Sequence, residues 1–535
     1  MMLVFASQLN YSCGVIQTNY EDALLKYTEA LERSADVVVF GRYSISGYVG
    51  STPALCRDFA KTCIQHVRDL ASYVKDVPVI IGGIEQKNNT LVEVVYLLRD
   101  SQCNRILQVT SPSHENLSQE YALVSVSGFN VLLTSEESFL SEAKESFLCR
   151  HERVFSNTDI VLLLGKSVAR CIEAVRNSCI MLTSMPCIYI NLLGGYGENV
   201  FPGGSFVSFD RKVYAFPMWK EECKLIEFDA KTKSLTGIRD TENNLQDPYA
   251  ASSNASVEKN ANGKPVCSNK FTYNAIMLAL RDYVRKNGFY GVTLGLSGGV
   301  DSALVATLSA DALGPELVHT FMLPTRYTAK MSVEDARECS QLLGVHHTLV
   351  EIDGIFSSIL ESLHKFLKQS ANATEENLQS RIRGMILMAV SNSMNLLLLA
   401  TGNKSELLTG YMTLYGDTCG GFAPLKNVYK TRVYDLVNWR NQNIPEGSLC
   451  RKVSVIPQRI IDRAPSAELK PNQTDQDTLP EYSVLDHILN LLIDNGLSKE
   501  EAVHLGCNRD DVELVSQMIE KASFKLGQVP KGPST

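Results

Sequence analysis

Along the first 232 positions, apolar residues fall into two alternating patterns. Short aliphatic runs predict strands: Asp36-Val-Val-Val-Phe40, Val77-Pro-Val-Ile-Ile-Gly82, Asp159-Ile-Val-Leu-Leu-Leu164 and Cys187-Ile-Tyr-Ile-Asn191. Between them, 20–34 and 56–75 carry apolar residues every three to four positions, the spacing of one helix face. The opening MMLVFASQLNYS lacks the basic flank of a signal peptide and is expected to be a strand. Residues 234–266 are rich in Ser, Asn, Asp, Gly and Lys and poor in large apolar side chains, so they cannot bury a core. This divides the chain into 1–232, a linker at 233–267, and 268–535.

The second part alternates more cleanly. Phe289-Tyr-Gly-Val-Thr-Leu-Gly-Leu296, Val318-His-Thr-Phe-Met-Leu323, His346-His-Thr-Leu-Val-Glu-Ile352 and 395–400 read as strands. Helices are expected from near Ser302, from near Ser332, over 374–393 and from Ser405. Such repetition predicts a doubly wound parallel sheet, whose ligands sit beyond the carboxyl ends of the strands.

Composition narrows the class. At 535 residues the chain has room for two to four domains. Its net charge of −8 disfavours tracking a nucleic-acid backbone, which needs a concentrated basic face. No apolar run approaches the ~18–20 residues of a membrane helix. The fourteen cysteines form no C-x-x-C pair, which argues against a zinc ribbon or redox dithiol. Reduced thiols in a soluble cytoplasmic protein are the expectation.

The strongest chemical signal is the run Gly295, Leu296, Ser297, Gly298, Gly299, Val300, Asp301 and Ser302, which follows a strand and opens a helix. Adjacent glycines let backbone N–H groups approach an anion, and the helix start adds unpaired donors. Asp301 is a hard oxygen ligand suited to Mg²⁺. A plain turn with a serine cap is the bland alternative. The run lacks the lysine of the Gly-x-x-x-x-Gly-Lys-Ser/Thr nucleotide loop.

This loop resembles the pyrophosphatase loop of the ATP-dependent N-type synthetases, which hold the β,γ-pyrophosphate while AMP passes to a carboxylate or carbonyl oxygen. Six further pieces occur in order: Glu376-Asn-Leu-Gln-Ser-Arg-Ile-Arg383, Ala400-Thr-Gly-Asn-Lys-Ser-Glu406, Thr413-Leu-Tyr-Gly-Asp417, Gly420-Gly-Phe-Ala-Pro-Leu-Lys-Asn-Val-Tyr-Lys430, Pro465-Ser-Ala-Glu-Leu469 and Asp475-Gln-Asp-Thr-Leu-Pro480. Together they resemble NAD synthetase over essentially all of 270–490. The resemblance implies that ATP is met by the loop together with Arg326, Thr401, Lys430 and Ser466. It implies catalytic roles for Lys430, Asp301 and Glu406, with Asp301 and Glu406 as ligands of Mg²⁺.

For deamido-NAD the resemblance implies Asn377, Arg383, Glu406, Tyr411, Met412, Thr413, Leu414 and Asp417, with Lys525 reaching in from the tail. Asn377 and Arg383 are six apart, about 240° round a helix, so one face cannot present both. Either that helix starts late or Arg381 is the contact. The implied reaction makes an acyl-adenylate of deamido-NAD, expels pyrophosphate, and lets ammonia displace AMP to give NAD. Such an intermediate hydrolyses readily, so closing segments are expected at 325–332 and in the C-terminal tail.

Long NAD synthetases carry an N-terminal nitrilase-like amidase, an α-β-β-α sandwich that releases ammonia from glutamine. Residues 1–230 resemble it through Gln8-Leu-Asn10, Gly47-Tyr48 and Asn191-Leu-Leu-Gly-Gly-Tyr-Gly-Glu-Asn-Val-Phe-Pro-Gly-Gly-Ser205. That chemistry needs a Cys nucleophile, a Glu base and a Lys. Here Arg42 stands at the base position, no lysine occurs from 106 to 143, and Gly165-Lys-Ser167 stands where the nucleophile belongs. Arginine stays protonated and cannot serve as the base. A pseudo-amidase drawing on free ammonia is the expectation, with glutamine use through Cys171 or Cys179 as the alternative. The resemblance also implies a homo-oligomer formed through the synthetase domain. Competing readings are GMP synthetase, a tRNA-modifying enzyme and a non-catalytic regulator. The order of pieces speaks against the first, the acidic charge against the second and the intact-looking synthetase residues against the third.

Overall fold

A computed structural model describes residues 1–50, 57–87, 90–109, 121–140, 152–168, 172–180, 185–229, 231–240, 245–246, 258–259, 265–266, 268–366, 372–470 and 473–534. The chain forms two units, one holding Met1–Tyr196 with Val200–Val257, the other Gly197–Asn199 with Glu258–Thr535.

In the first unit the short apolar runs become strands because each is buried on both faces. Met2–Gln8 shows it: Met2, Val4 and Ala6 face a second sheet while Phe5 faces helices, the two-residue alternation of a strand. Among the described residues eight strands make one sheet, in which Met2–Gln8 lies beside Val37–Val39 and Glu222–Phe228. Six make the other, with Ile160–Leu164 between Phe129–Ser135 and Cys187–Ile190. Val4, Val39 and Ile80 of one meet Leu133, Leu162 and Ile188 of the other in the central core. Helices Ile16–Glu32 and Arg57–Tyr73 cover the larger sheet through Ala23, Tyr27, Ala30, Val67 and Leu70. Helix Ile172–Ile180 covers the smaller through Ile172, Val175 and Cys179. The layers run helix, sheet, sheet, helix.

The linker expected over 233–267 is shorter than its composition suggests. Leu235–Arg239 pairs antiparallel with Glu222–Phe228 and buries Gly237 and Ile238. Backbone pairing at a sheet margin needs few large side chains, so this strand escaped the hydrophobic pattern.

The second unit holds a parallel sheet in the order His346–Leu349, Val318–Met322, Gly291–Gly295, Leu396–Leu398. Strand order therefore reverses between Gly291–Gly295 and Leu396–Leu398, the switch point where open α/β sheets bind ligands. Helices begin slightly earlier than the sequence pattern suggests, at Val300, Lys330, Asn372 and Lys404.

Val300–Leu313 is apolar nearly all round and buried from Ser302 onward. Against it lies helix Lys430–Gln442. At their far ends Arg440, fully buried, pairs with Asp311 through Nε–Oδ2 2.7 Å and Nη2–Oδ1 2.9 Å. Tyr273 and Ser448 also donate to Asp311, at 2.6 and 2.7 Å. Among the described residues no helix is long and apolar enough to cross a membrane.

Candidate active site

Each wall of the site grows from a strand end. Past Gly291–Gly295 the chain turns at Gly298, whose φ is +84°. A Cβ there would collide with the Ser332 carbonyl, so only glycine serves. Ser302 braces the turn: its Oγ accepts from Ser297 N at 3.2 Å and donates to Gly299 O at 3.0 Å. The first-turn amides of helix Val300–Leu313, which have no partner within the helix, open here. Past Leu396–Leu398 comes Thr401, then helix Lys404–Thr409. That helix is capped by Asn403, with Glu406 N donating to Oδ1 at 3.1 Å and Asn403 N to Glu406 Oε2 at 3.2 Å.

Between these walls lies a cavity of about 210 Å³. Lys430, the first residue of its helix, reaches across to Asp301 Oδ2 at 2.5 Å and Glu406 Oε1 at 3.2 Å. Asn403 Nδ2 donates to the other Asp301 oxygen at 3.0 Å. Burial pulls the Lys430 pKa down, but Asp301 and Glu406 outweigh it and hold the ammonium firmly charged. Burial pushes Glu406 up, against the opposing pull of Lys430 and with help from Asp301. Behind them Ser405 donates to Asp486, whose second oxygen takes Thr431 N at 2.9 Å, so Glu406 and Lys430 are fixed relative to each other.

The sequence-predicted residues separate into those brought together and those left aside. Ser297, Gly298, Gly299, Val300, Asp301 and Ser302 border the cavity. So do Thr401, Glu406, Tyr411, Met412, Asp417 and Lys430, and across from them Ser466. Gly295, Leu296 and Arg383 line an adjoining cavity of about 240 Å³ that shares Ser297, Thr401 and Asp417 with the first.

Asn377 and Arg383 indeed diverge. Asn377 accepts from the Thr413 hydroxyl at 2.8 Å, while Arg383 Nε donates to Leu323 O at 2.9 Å. Arg381 meets Leu414 O at 3.2 Å, on the same loop as Thr413. Asp417 holds Thr413 N with both oxygens, at 2.9 and 3.1 Å, and burial raises its pKa to about 6. Lys525 braces that loop from outside, donating to Gly410 O at 2.8 Å and Met412 O at 3.0 Å. Arg326 borders neither cavity: it is paired with Asp353 at 2.8 Å and with Ser357. Among the further residues that border the main cavity, three are charged and were not singled out from the sequence: Arg463, Glu468 and Asp475. Arg463 donates to Glu468 and Ser332, and Ser332 to Glu468 at 2.7 Å. Their only sequence signal was membership of two of the quoted pieces or proximity to them.

In the first unit, the position following strand Val37–Val39 holds Arg42, 3% exposed. It pairs with Glu93 and, at 2.7 Å, with Glu137. Lys166 joins the same two carboxylates, at 2.7 and 3.0 Å. Burial would raise the Glu137 pKa, but Arg42 and Lys166 bring it down to about 2. A Cβ on Gly165 would collide with the Tyr189 hydroxyl. Tyr189 itself donates to Glu136 at 2.8 Å, and Ser167 donates to the same carboxylate. The cavity beside Arg42 measures about 10 Å³. Cys179 is buried in the outer core, and Cys171 and 110–120 lie outside the described residues.

A parallel sheet with a glycine-rich anion loop at its switch point, charged side chains around the loop, and an α-β-β-α sandwich in the same chain define a two-domain ATP-dependent ligase. The NAD synthase family model matches residues 272–529. The chain is similar to the glutamine-dependent NAD(+) synthetase of Acinetobacter baylyi, 33% identical over 98% of this chain and 94% of that one. It is also similar to that of Thermotoga maritima, 32% identical over 99% and 95%. Among solved structures, the glutamine-dependent NAD+ synthetase of Acinetobacter baumannii, in complex with ADP, superposes with a TM-score of 0.71 at 30% identity, covering 100% and 96%. That of Cytophaga hutchinsonii, at 17% identity and TM-score 0.73, shares the fold. The chain belongs to the NAD synthetases, in their long two-domain architecture.

Proposed function

We propose that the second unit adenylates the nicotinate carboxylate of deamido-NAD with ATP and that ammonia then displaces AMP, giving NAD. The observation that carries this reading is the meeting of Lys430 with Asp301 and Glu406 at the mouth of the phosphate loop. The loop amides suit the outgoing pyrophosphate, and Lys430 is a point charge able to follow it. Asp301 and Glu406 fit Mg²⁺, which is held by one or two carboxylates plus substrate phosphates. When bound, the ion would neutralise phosphate charge, with Lys430 moving from the carboxylates to the phosphates. The 411–417 loop, tied by Asn377, Asp417 and Lys525, would frame the pyridine. ATP would lie along the shared edge of the two cavities.

We propose further that the first unit no longer hydrolyses glutamine. Arg42 in a buried ion-pair cluster cannot abstract a proton, and the Gly165 position has no room for a nucleophile's side chain beside Tyr189. Nitrogen then comes from free ammonia or from another protein. The test compares purified protein supplied with ATP, deamido-NAD and either ammonium or glutamine. NAD formation with ammonium and none with glutamine is expected. Comparable rates would end the inactive-amidase reading, and absence of deamido-NAD-dependent pyrophosphate release would end the adenylation reading.

A further inference from the structure

The main cavity is bordered by five carboxylates, and four of them are already engaged. Asp301 takes Lys430 and Asn403; Glu406 takes Lys430 and the Asn403 amide. Asp417 takes Thr413 N with both oxygens. Glu468 takes Arg463, Ser332 and the Ala329 amide.

Asp475 differs. It is 3% exposed; its Oδ2 accepts from the Tyr482 hydroxyl at 2.8 Å, and its Oδ1 has no hydrogen-bond partner. The Tyr411 hydroxyl approaches the same carboxylate, which adds to burial in raising that tyrosine's pKa. The turn at Asp475 is pinned, since its amide donates to Pro465 O at 3.1 Å. A buried acceptor without a donor costs about 1–3 kcal/mol, and a buried carboxylate needs positive charge nearby. Lys430 already lends Asp475 positive charge, but Oδ1 remains an acceptor that a small donor entering from the cavity would complete.

We infer that Asp475 holds the nitrogen nucleophile as ammonium. This rests on the synthetase reading above and assigns the one substrate that reading leaves unplaced. Ammonium is the small cation of the reaction, and it must lose protons to react. Asp475 takes one proton from it, leaving NH₃. The nitrogen lone pair forms the C–N bond at the acyl carbon, and the C–O bond to AMP breaks with its electron pair on the departing phosphate. The second proton then leaves nitrogen for water. The Tyr411 and Tyr482 hydroxyls both meet the Asp475 carboxylate and hold it in place.

The experiment separates the two half-reactions in the full-length protein. ATP–pyrophosphate exchange, dependent on deamido-NAD and run without ammonium, reads adenylation; NAD formation against ammonium chloride reads the second step. Asp475→Asn is expected to keep exchange within about twofold while raising the KM for ammonium about tenfold or more, the worth of one charge-assisted hydrogen bond. Hydroxylamine, uncharged at neutral pH, should form hydroxamate nearly as well in the variant as in the parent. Tyr482→Phe removes the bond to Oδ2 but leaves Oδ1, so it should move the ammonium KM less. An unchanged ammonium KM overturns the inference, as does exchange falling in parallel or a rise in the KM for deamido-NAD instead. Absence of exchange in the unaltered protein would instead sink the synthetase reading on which this one stands.

Discussion

Both units gather opposite charges at the carboxyl end of a central strand, yet the two gatherings are built to different ends. Around Lys430 the charges border about 210 Å³ of open space beside the start of helix Val300–Leu313, whose first-turn amides have no partner within the helix. Around Arg42 they border about 10 Å³, room for about one water, and each charge answers another. A charged cluster becomes a site only where open space lets a ligand reach it, for Arg42 Nε also lacks a hydrogen-bond partner yet adjoins almost no space. Where every charge is matched by a protein partner, the same residue types cross-link the fold.

That contrast can be broken by substitution. Asp301→Ala or Lys430→Ala should lower deamido-NAD-dependent pyrophosphate exchange by about 10²–10³-fold, the usual loss when a group facing developing charge is removed. Glu93→Gln, in the other cluster, should leave ammonium-driven NAD formation within about twofold. A large loss there would mean that the first cluster is catalytic after all.

Next in size is Gly165, where the proposed loss of the amidase places the missing nucleophile. Gly165→Ala should lower stability by about 1–3 kcal/mol, read by chemical denaturation, because its Cβ meets Tyr189. Gly165→Cys combined with Arg42→Glu should still show no glutamine hydrolysis by ammonia release.

A pH effect sharpens the comparison further. Burial lifts Asp417 to about 6, so its charge, which holds Thr413 N, is present above that pH and lost below it. The rate of NAD formation should therefore fall as pH drops through about 6, with the acid limb absent or displaced in Asp417→Asn. Stability runs the other way. Between the unfolded value near 4 and about 6 the native state binds the extra proton, so this group's contribution to unfolding free energy declines as pH rises across that window. In the first unit Glu137, held at about 2, has no comparable limb near pH 6. The smallest effect is expected for Arg326→Ala, less than about twofold on the KM for ATP, since that side chain is paired with Asp353.

What could be read beforehand follows the range of the underlying physics. The turn of the phosphate loop was legible because glycine backbone freedom and a helix start are local properties, and Gly298 takes the positive φ just before the helix opens at Val300. The divergence of Asn377 and Arg383 was legible from helical angles alone. Asp475 was not, because its burial and its empty oxygen depend on Tyr482 and Pro465, neither of which marks it in the sequence. The setting of Arg326 was not legible for the converse reason: its pairing with Asp353 comes from tertiary packing, which the local sequence does not record. Leu235–Arg239 hid inside a polar stretch because strand pairing draws on backbone groups that composition does not record.

Lys430 and Arg440 lie ten residues apart on one helix, and Asp301 and Asp311 ten apart on its neighbour. The two pairs therefore act as matched fasteners at both ends of parallel rods about 15 Å long. Spacing at the reacting end is consequently set deep in the interior, where Arg440 is wholly enclosed. Surface loops can drift in evolution and alter which molecules enter, while the separation between lysine and aspartate stays calibrated from behind.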